Sequence, residues 1–201
     1  MHATTRLKRR AEWVLTGWVG GKAKGAEQVL RGMFCLGILR FTKLPIATRM
    51  STTPFLVHRA SPSDLDTVSS LFDAYRVFYE QSSDIASARR FMQERLTKQD
   101  SVVFLALNHD GKGLGFTQLY PLFSSVRMRS IWLLNDLFVD KDARRMGVAH
   151  ALMEHARDFA RASGAAGLEL ATAKDNESAK SVYHDLGWKL DTEFDHYSIT
   201  V

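Results

Sequence analysis

The chain carries one cysteine, Cys35, in 201 residues. That excludes an intrachain disulfide and any zinc site built mainly from thiolates. A lone thiol fits a reducing compartment, and a cytoplasmic location is expected. His150 and His155 stand five apart, so they do not share a helical face, and no metal site is expected. No apolar run is long enough to span a bilayer, and there is no internal repeat or low-complexity tract. A P-loop is missing too. Around Gly21-Lys22, Thr16 stands where glycine is required and Ala23 where serine or threonine is required. No Gly-x-Gly-x-x-Gly follows a strand pattern, which removes a dinucleotide fingerprint.

Acidic residues are scarce in the first fifty positions. That segment holds ten Lys/Arg against two Asp/Glu, whereas the remainder holds seventeen against twenty. The overall charge of +5 is therefore a property of the N-terminal segment and says nothing of nucleic-acid binding by the rest. The reading is a basic extension over residues 1–54, expected to be poorly ordered, followed by one domain over 55–201. The extension's basic and apolar mixture also suits a presequence or a membrane-surface helix. Met50-Ser-Thr-Thr-Pro-Phe55 opens the domain cleanly enough that Met50 is expected to be a natural start.

The domain is organised around residues 131–160. Ile131 to Val139 is a mostly apolar run of strand length. A polar turn leads to Arg144 and Arg145, then Met146, Gly147, Val148 and Ala149 open a helical pattern. Leu152, Ala156, Phe159 and Ala160 mark its buried face. The first turn of a helix has N–H groups without intrahelical partners, and with the helix dipole these attract anions. Gly147 lets a diphosphate approach the backbone, and arginines at the rim suit phosphate geometry. Taken alone, a tight turn with a solvated basic rim fits as well.

This stretch resembles motif A of the GNAT superfamily of acyl-CoA N-acyltransferases: a strand, Arg/Gln-x-x-Gly-x-Gly/Ala, then a helix. Arg144, Gly147 and Ala149 fit it. Asn176, Ala179, Tyr183, Gly187 and Trp188 fall at the spacing of that family's motif B helix. The resemblance covers residues 55 to 201. It implies an α/β (α+β) fold: a mixed, mostly antiparallel sheet of six to seven strands with about four helices, splayed between the fourth and fifth strands.

The patterns place strands at Phe55–Arg59, Val102–Leu107, Gly115–Tyr120 (ended by Pro121), Arg129–Val139 and 168–173. Trp188–Leu190 and 196–200 are expected to finish the sheet. Ser63-Asp64 reads as a cap, followed by a helix burying Leu65, Val68, Leu71, Phe72, Tyr75 and Phe78. Further helices are expected over 85–97 and 178–186, with Gly187 closing the last.

By resemblance, the cosubstrate is acetyl-CoA. Leu137, Phe138 and Val139 would meet its pantetheine arm, though Phe138 equally suits strand core. Arg144, Arg145, Met146, Gly147, Val148 and Ala149 would hold the diphosphate. Asn176 would cap its helix and touch the cofactor. A primary amine with a pKa near lysine's 10.4 loses its proton at pH 7 at a cost of roughly 4–5 kcal/mol, so a base is needed. Asp136 is the best-placed carboxylate. An ordinary aspartate is a weak base, so burial or a water relay would have to help it. Polyamine acetyltransferases keep a Glu-Asp pair here; this chain has Asn135-Asp136, and Asn135 would orient water or acceptor. Tyr183 would protonate or hydrogen-bond the leaving thiolate. Tyr79, Glu80, Asp84 and Tyr120, with Tyr75 and Phe78, would line the acceptor pocket, aromatic and acidic as a cationic amine requires. The expected activity is acetyl transfer to a small-molecule primary amine such as a polyamine, diamine or amino acid, by direct attack in a ternary complex. A protein or peptide amine is the alternative acceptor, and a non-catalytic acyl-CoA-binding module the alternative function. A homodimer is expected, as enzymes of this family commonly form them.

Overall fold

Five stretches of alternating or continuous apolar residues pair into one sheet in the computed structural model, which describes residues 54–201. The expected basic extension and the proposed start at Met50 lie outside the described residues. The strands are β1 (Phe55–Arg59), β2 (Val102–Asn108), β3 (Gly113–Ser124), β4 (Arg129–Val139) and β5 (Leu168–Glu169), and they lie in sequence order. The first four pair antiparallel, and β5 joins β4 in parallel. Four helices accompany them: α1 (Leu65–Phe78), α2 (Ile85–Lys98), α3 (Val148–Ala162) and α4 (Glu177–Asp185).

The side-chain period of two divides the sheet's residues between two cores. On one face Val148, Leu152, Met153 and Ala156 of α3 pack on Val57, Phe104, Ala106 and Leu134. On the other, Val68 and Leu71 of α1 and Met92 of α2 pack on Val103, Leu105, Phe116 and Phe138. The strands are therefore covered on both sides, which explains why β2 reads as an almost unbroken apolar run.

Gly115 shows how closely β3 and β4 approach. A Cβ built there would lie 2.5 Å from the Phe138 carbonyl oxygen and 3.2 Å from the Val139 Cα. Both are backbone atoms, so no rotamer change relieves the clash. Gly115→Ala is expected to destabilise the domain by about 1–3 kcal/mol, the usual cost of overpacking, read as a lower urea midpoint. An unchanged midpoint would show that the two strands separate freely.

Several boundaries differ from the expectations. Asp64 stands at the N-cap of α1, which starts at Leu65 as expected, but a short 3-10 turn, Pro62–Asp64, precedes it and is opened by Ser61, whose N–H donates to the Asp64 carboxylate at 2.8 Å. Pro121 does not end β3. β2 begins opposite Leu119, so beyond it β3 has an outer edge without a β2 partner. A missing proline N–H costs nothing there. β5 is two residues long, and no strand among the described residues follows it, so five strands replace the expected six to seven. Leu190, Tyr197 and Ile199 are almost fully exposed. Alternation in 188–190 and 196–200 thus stays unused, because a strand also needs a neighbouring edge to complete its hydrogen bonds.

Candidate active site

β4 leaves its parallel neighbour early. Pairing with β5 is confined to Trp132–Leu168 and Leu133–Glu169, whereas pairing with β3 continues to Val139. The seam expected between the fourth and fifth strands therefore opens at Leu134, and the backbone from there to Val139 lacks a β5 partner. The chain then turns through Lys141–Ala143, where the Asp142 N–H donates to the Asp140 carboxylate at 2.9 Å.

Arg145 and Gly147 both take left-handed backbone, with φ of 63° and 82°. Such alternation turns successive N–H groups toward one concavity. Gly147 stands at the N-terminus of α3, which has no side-chain cap and no acidic residue in its first turn. The first N–H to bond inside the helix is that of Ala151, to the Gly147 carbonyl. The preceding amides and the helix dipole favour an anion. A Cβ on Gly147 would meet nothing within 4 Å, so the space outside the turn is open.

The flanking residues divide by what they expose. Arg144, Arg145 and Met146 are exposed; Arg144 reaches the Val139 carbonyl at 3.5 Å, and its guanidinium lies 5.7 Å from the Phe78 ring centre. Val148 is buried and Ala149 half-buried, so they offer the seam mainly backbone. Leu137 and Val139 pack against the α3 core. The Phe138 ring sits in the opposite core, 6.2 Å from Tyr75 and 6.5 Å from Phe116. Its side chain is core.

Immediately before this stretch the ladder slips. Gln118 pairs with Asp136, but Leu119 pairs with Leu134, so Asn135 is an extra residue in β4. Bulges of this kind re-aim side chains and are common beside active sites. Asn135 is exposed, while Asp136 turns toward α1 with only 5% of its surface exposed. Asn135 Nδ2 donates to the Asp136 carboxylate at 3.1 Å, and the Tyr75 hydroxyl hydrogen-bonds the same carboxylate. The Thr117 hydroxyl donates to the Asp136 carbonyl at 2.8 Å. Burial pushes the Asp136 carboxyl above the usual range, and the Asn135 and Tyr75 hydrogen bonds oppose that rise.

Tyrosines gather round this carboxyl. The Tyr75 phenol is raised by burial and by Asp136, and its ring packs edge-on to Tyr79 at 5.0 Å and to Phe116 at 5.9 Å. Tyr120 is pushed up to about 12 by burial and by Asp136. Tyr183 is half-buried on α4; burial raises its phenol, and a hydrogen bond with Thr172 opposes the rise. Tyr79 and Tyr183 both act on Tyr75. The structure thus brings Asp136, Asn135, Tyr79, Tyr120 and Tyr183 into one region.

Other candidates lie differently. Asp84 caps α2, accepting the Ser87 N–H at 3.0 Å, which holds its carboxyl below the usual range. Glu80 occupies a left-handed turn after α1. Asn176 caps α4 by accepting the Ala179 N–H at 3.2 Å, and Gly187 closes that helix with φ of 78°. A groove of about 450 Å³ between α1 and α2, lined by residues including Phe72, Arg76 and Phe91, shares no residue with the Asp136 cluster. Sequence reasoning missed Gln118, fully buried beside Asp136 in register; its signal was an amide inside an apolar strand.

Residues 68–188 match the model of the acetyltransferase (GNAT) family. The chain is 43% identical over 145 residues to an uncharacterised N-acetyltransferase, YhfO, of Bacillus subtilis, covering 72% of this chain and 97% of that protein. It also resembles a crystal structure of a probable acetyltransferase, with 39% identity, a TM-score of 0.69, and coverage of 73% of this chain and 97% of that one. An aminoglycoside acetyltransferase from an uncultured soil metagenomic sample shares the fold at 20% identity, with a TM-score of 0.63 over 75% of this chain and 98% of its own.

Proposed function

From the premise that this chain belongs to the acetyltransferase (GNAT) family and is an acyltransferase, we propose that it moves acetyl from acetyl-CoA to a small-molecule primary amine. The observation that carries this reading is Asp136, a buried carboxyl raised above its ordinary range beside the bulge at the start of the open seam. A raised carboxyl is a better base, and the Tyr75 ring beside it, packed edge-on against Tyr79, suits a cation.

The diphosphate would sit on the amides after Gly147, with Arg144 and Arg145 at its rim. The pantetheine arm would pair with the backbone of Leu137 and Val139 that β5 leaves open, taking the Val139 carbonyl over from Arg144. Asp136 takes a proton from the ammonium. The free amine attacks the thioester carbonyl in the ternary complex and a C–N bond forms; as the C–S bond breaks, the nitrogen gives up its second proton and the sulfur takes one, leaving as the thiol. Holding amine and thioester together can supply roughly 7–11 kcal/mol. Tyr183 donates a hydrogen bond to the departing sulfur. Its raised phenol favours that hydrogen bond over full proton transfer.

Thiol release on a panel of amines with acetyl-CoA tests the reading. Diamines, polyamines or amino acids should release thiol, whereas a response confined to peptides would move the acceptor to proteins. Tyr183→Phe should lower kcat by roughly 10-fold, the worth of one strong hydrogen bond, with the Kd for acetyl-CoA unchanged. Unaltered kcat would remove Tyr183 from the chemistry.

A further inference from the structure

Asp136 is well supplied with donors. Asn135 Nδ2 and the Tyr75 hydroxyl both serve the carboxylate form. Once a proton arrives the carboxyl becomes a donor itself and needs an acceptor. A neutral acid that is buried with nothing to donate to would lose a hydrogen bond at the moment it forms.

Such an acceptor lies on the neighbouring strand. Gln118 is the direct register partner of Asp136. Both face the α1 side of the sheet: Gln118 stands two residues after Phe116 in that core, and Asp136 bonds Tyr75 of α1. The Gln118 side chain is fully buried. Its Nε2 donates to the Ser101 Oγ at 2.8 Å, so the amide nitrogen has a partner. That Oε1 is buried and has no hydrogen-bond partner. Buried polar atoms are nearly always paired, so an orphan acceptor on the residue paired in register with a carboxyl that cycles through its acid form calls for an account.

We propose that Gln118 is a positioning residue that accepts the O–H of Asp136 after the carboxyl has taken a proton from the amine. The inference rests on Asp136 being the base. In each turnover the amine N–H bond breaks, an Asp136 O–H bond forms, and that hydrogen points to Gln118 Oε1. The proton then leaves to solvent, and Asn135 and Tyr75 resume both donor bonds. Gln118 stabilises the acid form as Asn135 and Tyr75 stabilise the anion.

The titratable groups acting here are few. Tyr75 of α1 and Tyr120 of β3 face Asp136. Tyr79 and Tyr183 lie beyond Tyr75, and the Arg95–Asp100 pair, at 2.8 Å, lies beyond Tyr120. Removing Gln118 Oε1 should therefore move Asp136 one way and removing the Tyr75 hydroxyl the other.

The test uses the full chain and two readouts: the acid limb of kcat/KM for an active amine, and the carboxyl C=O stretch of Asp136 by pH-difference infrared, assigned with Asp136→Asn. Gln118→Met keeps the volume and deletes the acceptor; it should shift both titrations down by about half to one pH unit. Tyr75→Phe should shift them up by a similar amount. Gln118→Glu, a second variant if methionine prevents folding, should shift them up, because a second carboxyl disfavours the anion. Titrations that stay in place in Gln118→Met, or move the same way as in Tyr75→Phe, overturn the proposal. If Asp136→Asn keeps full activity, the base assignment fails instead, and the infrared titration still decides on Gln118.

Discussion

Asp136→Asn is expected to lower kcat/KM for the amine by about 10²–10⁴-fold, the usual contribution of a positioned general base. The Kd for acetyl-CoA should stay the same, because the carboxyl points toward α1 and the loop proposed to hold the diphosphate lies eight residues and more downstream. The same substitution should raise Tm. A carboxyl whose folded pKa lies above its unfolded value of about 3.8 favours folding as the neutral acid. That contribution is fully present below the unfolded value and is lost as pH rises through the folded one. At neutral pH the ionised, buried Asp136 is thus a cost to the fold, and asparagine removes it while still serving Tyr75. For a domain of this size each kcal/mol recovered corresponds to about 2–4 °C. In the unaltered enzyme the rate should climb with pH through the raised Asp136 value, and the variant should lack that limb. Scanning calorimetry and a pH–rate profile check the pair of effects. Full activity in the variant would exclude Asp136 as base, and a lower Tm would show that its ionised form supports the fold.

Much of this site was legible in the residue order. Two motifs placed the helix after Gly147 and the helix of Tyr183, because small residues and caps sit where backbone geometry demands them. Positive φ at Gly147 and Gly187 and the Asn176 cap follow from local chemistry. What could not be read is cross-strand. The bulge at Asn135 depends on where β3 slips against β4, and a single strand carries no record of its partner's register. Without that slip, Asn135 and Asp136 look like alternating neighbours, and Gln118 looks like a stray amide. The same limit explains the C-terminal stretches: Tyr197 and Ile199 alternate as a strand does, yet alternation cannot say whether an edge is available. Asp84 stands at a helix end, and there the structure gives it a capping role that its acidity alone does not announce.

Gly147→Asp should weaken acetyl-CoA binding by roughly 10²-fold, through two separable effects. The first is conformational. Gly147 holds φ at 82°, where an L side chain is strained by about 1–2 kcal/mol unless the turn relaxes. The second is electrostatic. The side chain would project into open space at the mouth of the uncapped α3 N-terminus. A carboxylate there would accept the very amides that are proposed to hold the diphosphate, and would repel it. Gly147→Ala separates the two, since it brings the strain without the charge and should cost acetyl-CoA affinity several-fold less. Asp at a helix N-terminus also stabilises the helix, so Gly147→Asp should unfold no earlier than Gly147→Ala even as its affinity falls further. Calorimetric titration with acetyl-CoA, alongside thermal melts of both variants, reads the two effects apart. Equal affinity in the aspartate variant and the parent would mean that the diphosphate is held elsewhere. Equal loss in both variants would mean that backbone shape at Gly147, rather than bare amides and their charge preference, is what the cosubstrate requires.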